Sequence, residues 1–246
     1  MFTSSYSDFN TNYQNHLKHL RLKGLQPKTV SAYSRAIRRV GAYFAYDIVN
    51  LTEAQLLNYF SDLLETHSWS SVKLDLHGLK FFYAHVLRKP WVALGLIKPP
   101  KAQRLPDIVT VSEAKQLFLA TERLSYRVFY FVLYSLGLRL SEGLRLRVSD
   151  IDATRLRVHV RDSKGNKDRF VPLPTETLDL MRRFWKVHQN PTLLFPNRHG
   201  GLKSAHLART PLDKGGIQTT LRKVVLACGI KKKLRPTVSG IAMRPI

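Results

Sequence analysis

The stretch YSLGLRLSEGLRLRVSDID, Tyr134 to Asp152, sets Arg139 between the end of one apolar run and the start of a new helical pattern, with Glu142 three residues on. An arginine at such a junction can lie against a core and still aim its planar fork outward. That fork suits a bidentate grip on a phosphate. The plainer alternative is a surface arginine paired with Glu142. Lys164 stands in the turn sequence SKGNK. A flexible ammonium at a hairpin tip can reach a leaving oxygen, although solvated turn lysines are common. Other chemistries lack their residues. The nine histidines are scattered, with no HExxH and no paired-cysteine spacing, so neither a metal site nor a cofactor is expected. A GxxxxGKS or GxxxxGKT phosphate loop and a GxSxG nucleophile turn are also absent.

The elements around these residues can be read from periodicity. SYRVFYFVLYSLG is apolar nearly all round, which predicts a buried central helix ended by Gly137, and a short helix starts near Ser141. Ser112 is read as the N-cap of the helix before it, SEAKQLFLATE. RLRVHVRD alternates, with Leu156, Val158 and Val160 on one face and Arg155, Arg157, His159 and Arg161 on the other. With RFVPLP it forms a hairpin whose tip is basic. TETLDLMRRFWKVH and GGIQTTLRKVVLAC read as further helices.

The chain before residue 96 reads as four helices: YQNHLKHLRLKG, KTVSAYSRAIRRVGAYFA, TEAQLLNYFSDLLETH and SSVKLDLHGLKFFYAHVL. Val30, Tyr33, Ile37, Val40 and Phe44 form the apolar stripe of the second, and Thr52 with Gln55 has capping-box spacing for the third. LIKPPKAQRLPDIV, with its three prolines, reads as a linker. The expected organisation is a helical domain at 1–95, a linker at 96–108 and a second domain at 109–246. The expected class is mainly α (α+β), with one small antiparallel sheet.

The polar faces of the second and fourth helices carry Lys28, Arg35, Arg38, Arg39, Lys73, Lys80 and Arg88. Singly, each is an ordinary solvated charge. Together they suit phosphate contacts, which set affinity rather than sequence preference. The 246 residues hold 40 Lys and Arg against 17 Asp and Glu, a formal charge of +23. Such a chain favours a polyanionic partner, with nucleic acid ahead of an anionic membrane or a heparin-like sugar. Hydrophobic residues at 44% allow a real core and exclude wholesale disorder. Cys228 is alone, so no internal disulfide forms, and VFYFVLY is too short to span a membrane. A signal-peptide pattern is missing from the start, and a cytoplasmic location is expected.

GLRLSE followed at this spacing by KGNKDRFVPL resembles the catalytic domain of the tyrosine recombinases, the phage integrase family, in its integron-integrase and Xer-like branches. LKGLQPKTVSAYSRAIRRV resembles the first two helices of that family's core-binding domain. The resemblance implies site-specific DNA recombination and integration, in which a tyrosine attacks a scissile phosphate with no metal or nucleotide. It implies double-stranded DNA as partner and a tetramer on paired sites. Carried over, Arg139 matches the first catalytic arginine, Lys164 the hairpin lysine that protonates the leaving oxygen, and Glu142 an orienting acid. Lys167 and Arg169 join Arg35, Arg38, Arg39, Lys73 and Lys80 as DNA-binding candidates. A DNA-binding module or regulator without strand transfer, and an RNA-associated basic protein, stay as alternatives.

The resemblance also calls for a His-x-x-Arg motif, a later His or Trp and the nucleophilic tyrosine. The sequence has no tyrosine after Tyr134, and PTVSGIAMRPI stands where the motif is expected. Residues 234–246 are therefore expected to be an out-of-frame tail on a catalytic domain lacking its last part. Read from the third base of the Pro236 codon, with third bases chosen to fit, this stretch becomes His-Arg-Leu-Arg-His-Ser-Tyr-Ala-Thr-His. Sequencing the gene across codon 233 checks this. Nucleotides that encode no such motif in another frame refute it.

Overall fold

The stripe Val30, Tyr33, Ile37, Val40 and Phe44 makes helix α2 (Pro27–Tyr43) amphipathic, and Ile37 and Val40 become fully buried. Pro27 opens the helix, where its missing N–H costs nothing. The computed structural model describes residues 2–91, 94–95, 109–162 and 167–232, with side chains from residue 6 onward. The chain divides into two compact units, Met1–Ala102 and Gln103–Ile246. The linker expected at 96–108, Lys164 and the tail 234–246 fall outside the described residues.

In the first unit, α1 (Phe2–Leu22) begins well before the periodic stretch from Tyr13, and Phe9 is buried against the bundle. Helix α3 (Glu53–Thr66) carries the expected capping box: Thr52 Oγ1 accepts from the Gln55 N–H at 3.3 Å, and Gln55 Oε1 accepts from the Thr52 N–H at 2.9 Å. Helix α4 (Trp69–Phe82) stops short of the expected end. Tyr83–Leu87 instead forms a wider π-helical turn. There the Tyr83 hydroxyl donates to the Ile48 carbonyl (2.8 Å) and accepts from the Leu51 N–H (3.2 Å), tying this turn to the α2–α3 connection.

In the second unit, α5 (Val111–Ala120) is capped by Thr110 rather than by Ser112. Thr110 Oγ1 accepts from the Glu113 N–H (3.3 Å) while Glu113 returns a bond to the Thr110 N–H (2.7 Å). The Thr-x-x-Glu spacing completes both bonds, which Ser112 cannot do. Helix α6 (Leu124–Leu136) is the buried axis, with Val128, Phe129, Tyr130, Val132 and Leu133 almost solvent-free. Gly137 ends it at φ 58°, a left-handed conformation that favours glycine. A short helix α7 (Leu140–Arg145) follows at once. Three strands, β1 (Ile151–Asp152), β2 (Arg157–Val160) and β3 (Arg169–Pro172), pair antiparallel in the order β1-β2-β3. Helices α8 (Thr175–His188) and α9 (Lys214–Ala227) complete the core around α6.

Two strand expectations change. The hairpin gains β1 as a third strand, because Ile151 pairs with Val158 and Asp152 with Arg157. Leu156 leaves the apolar face: it takes φ 46° in the β1–β2 turn and is 44% exposed, while Val158 and Val160 stay buried.

His16 of α1 is wholly buried, edge-on to Phe81 and Phe82 at 5.6 and 5.5 Å. Burial pushes it down to about 4, offset in part by the Tyr33 backbone. A base with a depressed folded pKa is protonated more readily when unfolded. Its stability contribution is therefore present above pH 6.5 and is lost as pH falls from there through 4. About 3 kcal/mol of first-unit stability should disappear across that window. Urea denaturation followed through Trp69 and Trp91, in a Trp185→Phe background, should show this loss. His16→Leu should flatten that pH dependence.

Candidate functional site: a buried carboxylate between two arginines

The α6–α7 junction sets the position of Arg139. Leu138 and Leu140 on either side of it are buried, so the chain is pinned while Arg139 occupies the N-cap of α7 at φ −70° and ψ 151°. Helix α7 lies directly on α6. A Cβ at Gly143 would come within 2.5 Å of Leu133 Cδ2 and 3.1 Å of Phe129 Cε2, so any larger residue must push these core side chains aside.

Glu142 organises the site. Its side chain is 1% exposed. Oε2 accepts from the Arg139 backbone N–H at 2.9 Å, and Oε1 accepts from Arg139 Nη1 at 2.7 Å. The strand β3 supplies a second guanidinium: Arg169 Nη1 donates to Oε1 at 3.0 Å and Nη2 to Oε2 at 2.8 Å. This bond to Glu142 raises the Arg169 pKa above its ordinary value. The arginine side chains remain 28% and 35% exposed, so each is anchored yet still reaches solvent.

Arg169 is a DNA-binding candidate of the sequence, and the ladder turns its side chain inward. It lies opposite Val160, which is buried, whereas its neighbour Phe170 lies opposite His159 on the outer face and is 56% exposed. On that outer face the Arg157 guanidinium sits 4.2 Å from the Phe170 ring centroid and His159 stacks at 4.9 Å.

Further carboxylates brace the surroundings. Asp150, buried, accepts from the Arg147 backbone N–H (2.9 Å) and from Arg161 Nε (2.7 Å). Asp168 accepts from the Asp162 N–H (3.1 Å) and lies 2.9 Å from His159 Nε2, at the root of the hairpin. The Asp162 N–H is the main cause holding the Asp168 carboxyl below the usual range. Lys167 is exposed beside it.

In the first unit, Lys28, Arg35, Arg38, Lys73, Lys80 and Arg88 are exposed as expected. Arg39 differs: its Nη1 pairs with Asp75 Oδ2 at 3.2 Å, and the Tyr59 hydroxyl donates to the same oxygen at 2.6 Å. Burial pushes the Asp75 carboxyl above its ordinary range. Sequence reasoning missed Asp75, although an acid at helical spacing with the buried Val72, Leu79 and Phe82 is a legible sign of a buried anchor. Among the described residues, no cluster of three or more His, Cys, Asp or Glu is arranged to hold a metal, and no helix is long and apolar enough to cross a membrane.

Comparison with known proteins fits both units. Residues 107–238 match the phage integrase family, and residues 13–93 match its N-terminal SAM-like domain. An integrase/recombinase of Sinorhizobium fredii is 32% identical over 133 residues, covering 54% of this chain and 43% of the relative. The chain thus spans about half the length of the curated relatives it matches first. The tyrosine recombinase XerD of Staphylococcus saprophyticus is 26% identical over 248 residues, covering 91% of this chain and 80% of its own. A lambda integrase tetramer bound to a Holliday junction shares the fold at TM-score 0.67 and 15% identity, over 90% of this chain and 66% of that one. The chain belongs to the phage integrase family, the tyrosine recombinases.

Gly143→Ala should force α7 off α6 and destabilise the second unit by about 1–3 kcal/mol. Chemical denaturation followed through Trp185 measures this. An unchanged midpoint would show that the α6–α7 contact tolerates the methyl group.

Proposed function

We propose that this chain is a site-specific DNA recombinase and integrase in its fold and phosphate-gripping residues, binding double-stranded DNA in the cytoplasm but inactive in strand transfer as these residues stand. In this reading, 1–95 is the core-binding domain and 109–246 the catalytic one. Arg139 grips the scissile phosphate, Glu142 orients it, and Lys164 protonates the leaving oxygen. Arg35, Arg38, Arg39, Lys73, Lys80 and Lys167 hold the DNA backbone, and copies assemble as a tetramer on paired sites. The carrying observation is the α7 N-terminus: a guanidinium held by a buried carboxylate yet open to solvent, in a chain of this family. Such an arginine can stabilise developing phosphate charge with little reorganisation.

The tyrosines of the second unit, Tyr126, Tyr130 and Tyr134, all lie on α6. Tyr130 donates its hydroxyl to the Ile217 carbonyl at 2.6 Å, and Tyr134 packs against Phe118 at 5.7 Å. They serve the core rather than the attack on phosphate. These 246 residues therefore bind DNA without completing strand transfer, which also favours the alternative of a DNA-binding regulator.

Two measurements test this. Duplex DNA affinity should fall steeply with salt, and Arg35→Ala with Arg38→Ala should weaken binding on all sequences and lower the salt slope by about one per lost phosphate contact. A flat salt response would sink the DNA-binding reading. On a nicked suicide duplex the chain should give no covalent protein–DNA adduct. An adduct would show that some group in these residues serves as nucleophile.

A further inference from the structure

We propose that Arg169 is a positioning residue for Arg139, acting through Glu142, and not a DNA-backbone contact; this rests on the reading of Arg139 as the phosphate-gripping group. The fork of Arg169 takes both oxygens of Glu142, at 3.0 and 2.8 Å, while Arg139 Nη1 meets Oε1 at 2.7 Å. A buried carboxylate facing a single guanidinium makes a neutral pair, and the arginine is spent on it. Two guanidiniums on one carboxylate leave a net positive charge. With Arg169 neutralising Glu142, Arg139 keeps its attraction for an anion while its fork stays oriented.

The strand register makes this placement structural. Arg169 shares the inward face of the sheet with Val158, Val160 and Val171, so its side chain reaches Glu142 without leaving the ladder. For Arg169 to reach a DNA phosphate it must abandon a carboxylate that is 1% exposed. That would break two charge-assisted hydrogen bonds to a buried carboxylate and leave its charge to Arg139 alone, which is unfavourable. The same bond ties β3, and with it the hairpin, to the helix start that carries Arg139. The two halves of the site therefore share one anchor.

The test uses the full chain with 15N-labelled arginine. The Arg139 Nε–Hε NMR signal, assigned with Arg139→Lys, is followed as inorganic phosphate is added. Arg169→Ala should need about threefold or more phosphate for the same response. Arg169→Lys, which keeps the charge but loses the fork, should fall between it and the native chain, and it carries the comparison if the alanine variant does not fold. Adding Glu142→Gln to Arg169→Ala should bring the response back toward native, because the carboxylate charge that captures Arg139 is gone. A thermal melt of each variant establishes that it is folded. In an Arg139→Ala background, adding Arg169→Ala should leave the slope of DNA affinity against salt unchanged. A further drop of about one in that double variant would make Arg169 a phosphate contact and overturn the proposal. A native Arg139 response left unchanged by both Arg169 variants overturns this inference alone. No response of Arg139 to phosphate in the native chain overturns it together with the functional reading.

Discussion

Burying the carboxylate of Glu142 is the constraint around which the second unit is arranged. A carboxylate taken out of water must be paired and hydrogen-bonded, and removing one partner of such a pair commonly costs about 3–5 kcal/mol. Among the groups that meet this demand are the backbone and side chain of Arg139 and the fork of Arg169. Other features serve the same point. Gly137 ends α6 so that α7 can start at once, and Gly143 lets α7 lie against Phe129 and Leu133. The sheet register turns Arg169 inward. The proposed chemistry needs an arginine that is charged, oriented and accessible, and this arrangement supplies one.

The two units handle positive charge differently. In the first, most basic residues of α2 and α4 are exposed at the surface, which suits contacts that track a phosphate backbone. Arg39 is the exception, because Asp75 and Tyr59 lie beneath it. In the second unit the arginines are repeatedly tied to acids: Arg139 and Arg169 to Glu142, Arg161 to Asp150, Arg157 to Asp152. Fixed arginines lose less entropy when they engage a ligand, which favours orientation over simple attraction. The count of 40 Lys and Arg therefore overstates the cations available to a partner.

Some features were legible in the residues because their causes are local. The apolar stripe of α2, the all-apolar α6, the Thr52 capping box and the Gly137 stop follow from side-chain period and backbone preference over a few residues. Where two local signals competed, the wrong one could be chosen. Ser112 and Thr110 are both plausible caps, and only Thr110 stands three residues before an acid. Leu156 fits the strand alternation, but the return from β1 requires a left-handed residue there. The π-helical turn at Tyr83 depends on partners 32 and 35 positions away and has no local signature.

The sequence by itself determined the helical classes, a division into two helical parts and the basic character, and it offered the pairing of Arg139 with Glu142 as one of two readings. Each of these is a matter of composition or of residues within one turn of each other. Only the tertiary structure decided that Glu142 is buried and that Arg169 belongs to it. Twenty-seven positions separate the partners. Whether a strand residue faces inward depends on a register with period two, set by the whole sheet, and a shift of one residue would have put Arg169 on the solvent face. Likewise, Asp75 became an anchor for Arg39 only when α4 packed on α2. Charge is written in the sequence. Which charges are already spent on each other depends on distances that only folding sets.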